Sequence, residues 1–572
     1  MSTLTNQVRR PVEVAAAPTS NGTQQARPNF PKPTMRICVL IVTWNRKTHV
    51  TTVLRSLARQ TYPVGLMDVV VVDNAGTDGT LEHLRDTFRP ERIVDNDTEQ
   101  AHEPRFQPAR ARDWAPADGD GQNLLGFSSL TIVRNRANMG GCGGFNTGFA
   151  FVEHGFDKSG AGAPEFVWLV DDDADLPADA LANLVCTMAS DPRIGLVGSR
   201  TCDINERSRT IETTIYFNSE TGSMQDDAPA GHPRAEAHRQ WLAVVGGPRG
   251  QGGAGGSGYR GTMDVDVVSA CSMLARWKAV VGDDNKPGVG FWDHRYFIYC
   301  DDADWCLRFA RAGWRVVLNL DAVVYHTPWN LKLTPARIYY ANRNRLWMVQ
   351  KTLPTEKLRE VTGRLMRSFL FDSMHAALHR RQFHARIILR TGLDVVNGVA
   401  GKTGSDGPPP MPTIEALRHA GCLRRGSPVA VVCNTPDSLG WLADLQSRVA
   451  ADLKPGEKPP RWVPIVRNDV QGAPSDAIVY GRHLGSRVKK QLWVLGRRAR
   501  AVVVFNQVND FPVLLCAPWT IHIDSKKPES AQIERESWIA RIGFLGRWLR
   551  ARGQLMRYAR TVKPFTSGSK YG

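Results

Sequence analysis

Phe166-Val167-Trp168-Leu169-Val170-Asp171-Asp172-Asp173 is the stretch on which the reading of this chain turns. Five apolar residues run straight into three acids. A continuous apolar run of this length predicts a strand buried on both faces, as in a parallel sheet covered by helices. The acids then stand at its carboxyl end, where an open α/β sheet forms a ligand crevice. On an extended chain, residues i and i+2 point the same way. Asp171 and Asp173 can therefore share one cation while Asp172 points elsewhere. A hard divalent cation, Mn2+ or Mg2+, suits carboxylates combined with substrate phosphates. Its task would be to neutralise a diphosphate leaving group. The bland alternative is an exposed turn with solvated acids.

Ile37-Cys38-Val39-Leu40-Ile41-Val42 is a second apolar strand. A helix with Val50, Val53, Leu54 and Leu57 on one face follows, and Val69–Val72 then ends at Asp73. That is a β-α-β unit. Leu130–Val133 resumes the sheet, and a helix over 178–189 and a strand over Gly195–Gly198 follow the acids. A further ordered stretch opens at Val265–Leu274 and ends in the apolar strand Val316–Tyr325. Residues 1–34 are rich in Pro, Thr, Asn and Gln and read as a disordered tail. Residues 95–127 read as an inserted polar loop, and residues 222–261 as a second insertion. Within the latter, residues 246–261 form a flexible glycine segment.

The chain has 572 residues, enough for about two to four domains. Its 42% hydrophobic and 23% charged residues are those of a globular protein. A net charge of +17 favours an anionic partner. The 10 cysteines are scattered without a C-x-x-C pair, which predicts reduced thiols, a cytoplasmic setting and no zinc site. No secretory apolar core opens the chain, and no apolar run reaches the roughly 18 residues of a membrane span.

Two more segments carry chemistry. Tyr299-Cys300-Asp301-Asp302-Ala303-Asp304-Trp305 places three acids within four positions at the start of an amphipathic run. Asp302 can cap that helix if it opens it; alternatively one of the three acids, made basic by its neighbours, can take a proton from a hydroxyl. Asn138-Met139-Gly140-Gly141-Cys142-Gly143-Gly144-Phe145-Asn146 is a glycine-rich turn at a helix start, which permits close backbone approach to a phosphate. Its spacing is not the dinucleotide fingerprint.

Together these segments resemble the glycosyltransferase family 2 proteins with a GT-A fold. The resemblance is carried by Val42-Thr43-Trp44-Asn45-Arg46, Val72-Asp73-Asn74-Ala75-Gly76-Thr77-Asp78-Gly79-Thr80, Arg136-Ala137-Asn138-Met139-Gly140-Gly141, Asp171-Asp172-Asp173, Asp301-Asp302-Ala303-Asp304 and His326, across residues 36–350. Within that family the glycine-rich and double-acid segments are most similar to bacterial galactofuranosyltransferases and rhamnosyltransferases of cell-wall assembly. The resemblance implies an α/β, Rossmann-like mixed sheet with helices on both faces over residues 35–333, and inverting transfer from a UDP- or dTDP-sugar. Asp73 would read the nucleobase beside Thr43, with Asn45, Arg136, Asn138, Gly140, Gly141 and Asp172 completing the donor site. His326 would join Asp171 and Asp173 on the metal, and Asp302 would be the base. Trp292, Asp301 and Asp304 would face the acceptor, a lipid-linked (polyprenyl-diphosphate) or polysaccharide glycan of the cell envelope. The chain departs from the pattern in having only a tail before residue 35 and in its two insertions.

Residues 334–400 read as a basic helical extension, 401–425 as a linker and 426–530 as a smaller α/β domain. Strands are expected there at Val429–Val432, Ala477–Tyr480, Ala501–Phe505 and Val513–Leu515. Residues 531–572 are basic and amphipathic. They suit either an anionic membrane surface, with the protein peripheral on the inner face of the plasma membrane, or packing on the protein's own domain. Homo-oligomerisation is compatible with the sequence. Two other functions compete. A sugar nucleotidyltransferase should carry a glycine-rich basic loop after its first strand, where Thr43-Trp44-Asn45-Arg46 stands instead. A nucleic-acid-binding or scaffold protein would fit the charge, but the chain shows no nucleic-acid motif.

Overall fold

The computed structural model describes residues 34–100, 104–108, 123–155, 162–245, 260–328, 335–403, 408–483, 485–487, 490, 498–506, 517–525 and 527–565. The expected tail, most of the glycine segment and the expected strand at Val513–Leu515 lie outside them.

The first part of the chain runs β1 (Ile37–Thr43), α1 (Lys47–Leu57), β2 (Met67–Asp73), α2 (Thr80–Phe88), β3 (Arg92–Asn96), β4 (Phe106–Pro108), β5 (Ser129–Asn135), α3 (Gly140–Gly155), β6 (Phe166–Asp171) and α4 (Ala180–Ser190). It continues with β7 (Ile194–Asp203), β8 (Thr210–Glu212), the pair β9 (Tyr216–Asn218) and β10 (Ser223–Gln225), α5 (Ala235–Val245), β11 (Thr262–Asp264), β12 (Ser272–Arg276) and α6 (Trp277–Val281). The pair β13 (Gly282–Asp283) and β14 (Lys286–Pro287), then α7 (Asp301–Arg311) and β15 (Arg315–His326), complete it.

These strands form one mixed sheet in the order β11-β15-β7-β12-β6-β1-β2-β5-β3-β4, with β8 on β7. β1 pairs in parallel with β2 and β6, while β12 runs antiparallel between β6 and β7. The apolar runs are continuous because both faces are covered. Ile37, Val39 and Ile41 pack with Val50, Val53, Leu54 and Leu57 of α1 on one face. Cys38 and Leu40 pack with Phe145 and Phe149 of α3 on the other. Strand periodicity of two divides neighbouring residues between two cores. Each such apolar side chain contributes about 1.5–3 kcal/mol on burial. The expected Rossmann-like mixed sheet with helices on both faces is therefore present.

The expected loop over 95–127 is shorter than predicted. Its first residues close β3, and Phe106–Pro108 pairs antiparallel with that strand. Residues 109–122 lie outside the described residues. The second insertion, 222–261, is ordered over β10 and α5. The predicted strand at Gly195–Gly198 extends to Asp203 because β15 pairs along it to the end.

Three helices follow: α8 (Pro335–Thr352), α9 (Thr355–Leu378) and α10 (Gln382–Val396). A second sheet is built from β16 (Met411–Pro412), β17 (Pro428–Cys433), β18 (Arg461–Arg467), β19 (Ile478–Tyr480), β20 (Ala501–Phe505), β21 (Trp519–Ile523) and β22 (Ser530–Arg535). The helices α11 (Thr413–His419) and α12 (Ser438–Ala451) accompany it. Its order is β16-β22-β21-β20-β17-β18-β19, so strands after β17 are added first to one side and then to the other. Met411 pairs with Ala531, which draws residues of the expected linker and C-terminal segment into this sheet. Arg380, fully buried at the end of α9, ties the helices to it by donating to Thr520 and to the carbonyls of Ala517 and Trp519. The last helix of the described residues, α13 (Trp538–Thr561), is capped by the Ser537 hydroxyl. It packs Phe544, Ala551, Leu555 and Ala559 into the same core as α9 and α10. The nine cysteines among the described residues are free, and Cys186 is exposed. No helix of the described residues is long and apolar enough to cross a membrane.

Candidate active site

β6 delivers Asp171 to the sheet's carboxyl edge, where its N–H donates to the Cys271 carbonyl at 3.2 Å. The chain then turns, and the Ala174 N–H closes back on the Asp171 carbonyl. Asp172 and Asp173 are thus turn residues, not a continuation of the strand. What brings the third ligand in is a bridge two residues further on. Asp175 and Tyr325 exchange backbone hydrogen bonds of 2.9 Å in both directions, which sets the end of β15 against the acid turn. His326 Nε2 consequently lies 3.2 Å from Asp171 Oδ2 and 3.0 Å from Asp173 Oδ1.

Asp171, Asp173 and His326 each offer one ligand atom, and the three atoms lie within 4.8 Å of one another. Two carboxylates and an imidazole are a donor set that fits Mn2+ or Mg2+ when substrate oxygens complete it. Burial opposes protonation of His326, but its hydrogen bonds to Asp171 and Asp173 and their charges outweigh that and raise it to about 9. Arg46 supplies the other counter-charge, 2.6 Å from Asp173 and 3.7 Å from Asp172.

Asp172 faces the β1 side. Thr43, buried at the end of β1, donates to it at 2.8 Å. Burial pushes the Asp172 carboxyl up to about 7, aided by Asp173 and Asp171 and opposed by Arg46 and Thr43. At the neighbouring strand end, Asp73 is 2% exposed and accepts from the Gly76 N–H at 3.1 Å. Burial raises its carboxyl to about 6 in spite of that bond. Asn45 bridges the two loops by accepting from the Thr77 N–H at 2.6 Å.

The glycine-rich turn is held by Asn74, a residue to which the sequence assigned no role of its own. Its amide nitrogen donates to the Gly140 carbonyl at 2.9 Å, and its oxygen accepts from Asn135 and from the Met139 N–H. Asn138 accepts from the Gly140 N–H at 2.9 Å. Several of the glycines serve packing. A Cβ on Gly140, at φ +74, would lie 2.0 Å from the Phe297 carbonyl, and one on Gly144 would lie 2.3 Å from Val42. Gly141 has open space around it. Arg136 points to the Asp97 carboxylate at the other side of the strand end.

α7 begins at Asp301. Its first-turn acids accept from local N–H groups: Asp302 from Ala303 at 2.7 Å and Asp301 from Asp302 at 3.2 Å. The N-cap position is Cys300, so Asp302 is not the cap. Burial, reinforced by the Asp171 charge, raises the carboxyl of Asp302, while the N–H groups of Ala303 and Ala270 oppose this. Burial also raises Asp301, with Asp302 adding to it. The pair therefore belongs electrostatically to the same site as Asp171.

The loop before α7 is strained: Phe297, Tyr299 and Cys300 all have positive φ, of 68°, 71° and 62°. Non-glycine residues occupy that region at a cost of about 1–3 kcal/mol each, and only where the surroundings enforce it. α8 supplies the enforcement. The buried Asn344 amide nitrogen lies 2.9, 2.7 and 2.8 Å from the carbonyls of Tyr296, Ile298 and Tyr299, its two hydrogens shared among them. Arg343 donates to the carbonyls of Arg295, Tyr296 and Gly401. The only sequence hint of this clamp is a polar Asn in the middle of a helix, a place where Asn is normally disfavoured.

Two expected acceptor contacts are structural instead. Trp292 is 2% exposed and packs on Phe145 and Trp305. Asp304 is fully buried and ion-paired with Arg308 at 3.0 Å and Lys351 at 3.0 Å. Lys351 also holds Asp293 at 2.8 Å. A side chain closed off in this way presents no surface to an incoming glycan. Asp301 is 6% exposed.

No family model and no curated protein matches this chain. Solved structures do. TarS of S. aureus aligns over 64% of this chain and 49% of its own, at 15% identity and a TM-score of 0.35. GalNAc-T7 with UDP, GalNAc and Mn2+ aligns over 59% and 52%, at 10% identity and 0.38. The mannosyltransferase PcManGT from Pyrobaculum calidifontis, with GDP-Man and Mn2+, aligns over 70% and 83%, at 16% identity and 0.33. The chain thus spans about half the length of TarS and of GalNAc-T7. At these scores the likenesses decide nothing about function, which rests on the residues above.

Chemically, the strand ends offer three things side by side. A carboxylate–imidazole set can hold a divalent cation. A buried carboxylate, Asp73, flanks a loop pair. An acid pair at a strained, clamped helix start is raised toward basicity by burial and by Asp171.

Proposed function

We propose that this protein is a divalent-metal-dependent glycosyltransferase that takes its sugar from a nucleoside diphosphate donor. The observation that carries the reading is the convergence of Asp171, Asp173 and His326 at the sheet's carboxyl edge, with Asp302 in the same electrostatic neighbourhood. When bound, the cation neutralises the diphosphate leaving group. The residues do the rest. Asp73 accepts the imide N–H of uracil or thymine, and Thr43 and Arg46 hold Asp172 and Asp173 in place. Asp302 removes the proton from the acceptor hydroxyl as its oxygen bonds to the anomeric carbon. The bond from that carbon to the diphosphate breaks, its electron pair leaves with the nucleotide, and configuration inverts.

The finer reading is a UDP- or dTDP-sugar, with galactofuranose or rhamnose favoured, and a lipid-linked or polysaccharide cell-envelope glycan as acceptor. It rests on the resemblance of the glycine-rich and double-acid segments. A donor screen with Mn2+ or Mg2+, comparing UDP-galactofuranose, dTDP-rhamnose and common UDP-hexoses, tests it. Metal-dependent release of UDP or dTDP from one of these is expected. No metal-dependent release from any nucleotide sugar, by protein that binds Mn2+, would reject the reading.

A further inference from the structure

We propose that the outward face of α13 docks on an anionic lipid bilayer. Among the described residues, ten large apolar side chains are exposed, and four of them lie on this helix: Ile539 at 84%, Ile542 at 69%, Leu545 at 46% and Leu549 at 55%. Two more, Phe371 and Leu378, lie on α9, against which α13 packs. At about 100° per residue the four α13 side chains fall within about 120° of arc. Phe544, Ala551, Leu555 and Ala559 occupy the opposite side and are buried in the protein's core. The Trp548 indole donates to the Leu370 carbonyl at 2.9 Å, and the Tyr558 hydroxyl to Gln350 at 3.1 Å. The helix is thus fixed by one face and presents the other.

Charge selects the occupant. α13 carries Arg541, Arg547, Arg550, Arg552, Arg557 and Arg560 and no acid. All but Arg541, which pairs with Glu536, are exposed. An apolar stripe flanked by arginines matches the acyl boundary and phosphate headgroups of an acidic leaflet. A second copy of the chain would bring the same six cations against one another. Both readings of the C-terminal segment open from sequence, packing and membrane contact, are then served by different faces of one helix. This proposal does not rest on the catalytic one.

The test is co-sedimentation of the full chain with phosphatidylcholine vesicles, with and without phosphatidylglycerol, at low and high salt. The variant is Ile539→Ser combined with Ile542→Ser, which changes only exposed side chains; deleting the helix would strip the core of Leu555. Wild type should pellet with the acidic vesicles, at least about tenfold less with the neutral ones, and less at high salt. The variant should bind about tenfold more weakly or worse, with unchanged thermal unfolding and unchanged donor turnover without vesicles. Equal binding by both proteins, or no binding by wild type, would overturn the proposal. So would sedimentation velocity showing a dimer that the double substitution dissociates.

Discussion

Replacing Asp73 with Asn is expected to make the donor-free protein more stable and the donor bind more weakly. Asp73 is 2% exposed, and its carboxyl is raised to about 6 from 3.8. Burial is the largest cause; the Gly76 N–H works against it, and the Asp78 and Glu82 charges add to it. A raised carboxylate binds more protons in the folded chain than in the unfolded one between those two values. Ionised Asp73 therefore destabilises the folded state fully above pH 6, and this cost fades as pH falls toward 3.8. A rise of about 2 units at 1.36 kcal/mol each is about 3 kcal/mol, which the Asp73→Asn variant recovers at most. Asn retains an oxygen for the Gly76 N–H, so little is lost in exchange. Thermal melts of both proteins at pH 8 and pH 4 are the assay. The variant should melt higher at pH 8, and the difference should shrink at pH 4. Conversely, losing a charge-assisted bond to the nucleobase costs about 1.5–3 kcal/mol, or roughly 10–100-fold in UDP affinity. A variant less stable at pH 8, or a stabilisation equal at both pH values, would refute the reasoning about burial. Unchanged UDP affinity would refute the nucleobase role.

Three further outcomes are expected. His326→Ala should weaken Mn2+ binding by at least about tenfold in isothermal titration, since a ligand set of three becomes two. Asn344→Ala frees three carbonyls and should lower kcat by about tenfold or more with a smaller loss of UDP affinity, because the strained 297–300 loop leads directly into Asp302 and meets the glycine turn only through Phe297. Lys351→Met removes the cation shared by buried Asp293 and Asp304, leaving each with one arginine, Arg295 and Arg308, and should cost about 1.5–3 kcal/mol in denaturant unfolding.

The main sheet was legible because its strands are continuous apolar runs, and such runs arise only where both faces are covered. Ile37–Val42, Val69–Val72 and Phe166–Val170 all announced themselves in this way. β3 did not, since Arg92–Asn96 mixes charged and apolar residues on a strand with a partly exposed face; β18 did not, since Pro464 interrupts its short buried apolar run. The acid turn could be seen as a cation site, but on reasoning that the structure changes. Asp171 and Asp173 were expected to align as alternate residues of an extended strand. They converge because the chain turns after Asp171 and the Asp175–Tyr325 bridge delivers His326. That pairing joins residues 150 positions apart in the chain, and no local pattern encodes it. Periodicity also says nothing about what lies opposite a polar residue. Asp304 and Trp292 looked like site residues beside Asp302, whereas Lys351, Arg308 and the aromatic core close over them. Asn74 and Asn344, which hold the glycine turn and the strained loop, are polar residues whose work is hydrogen bonding to distant backbone.

The proposed sugar transfer turns on Asp302 acting as the base. The most direct measurement compares wild type and Asp302→Asn for Mn2+-dependent transfer to acceptor and, separately, for UDP-sugar binding with Mn2+. A loss of about 10²–10⁴-fold in kcat is expected, with donor affinity within about twofold of wild type. An Asp302→Asn enzyme that transfers sugar at the wild-type rate would contradict it.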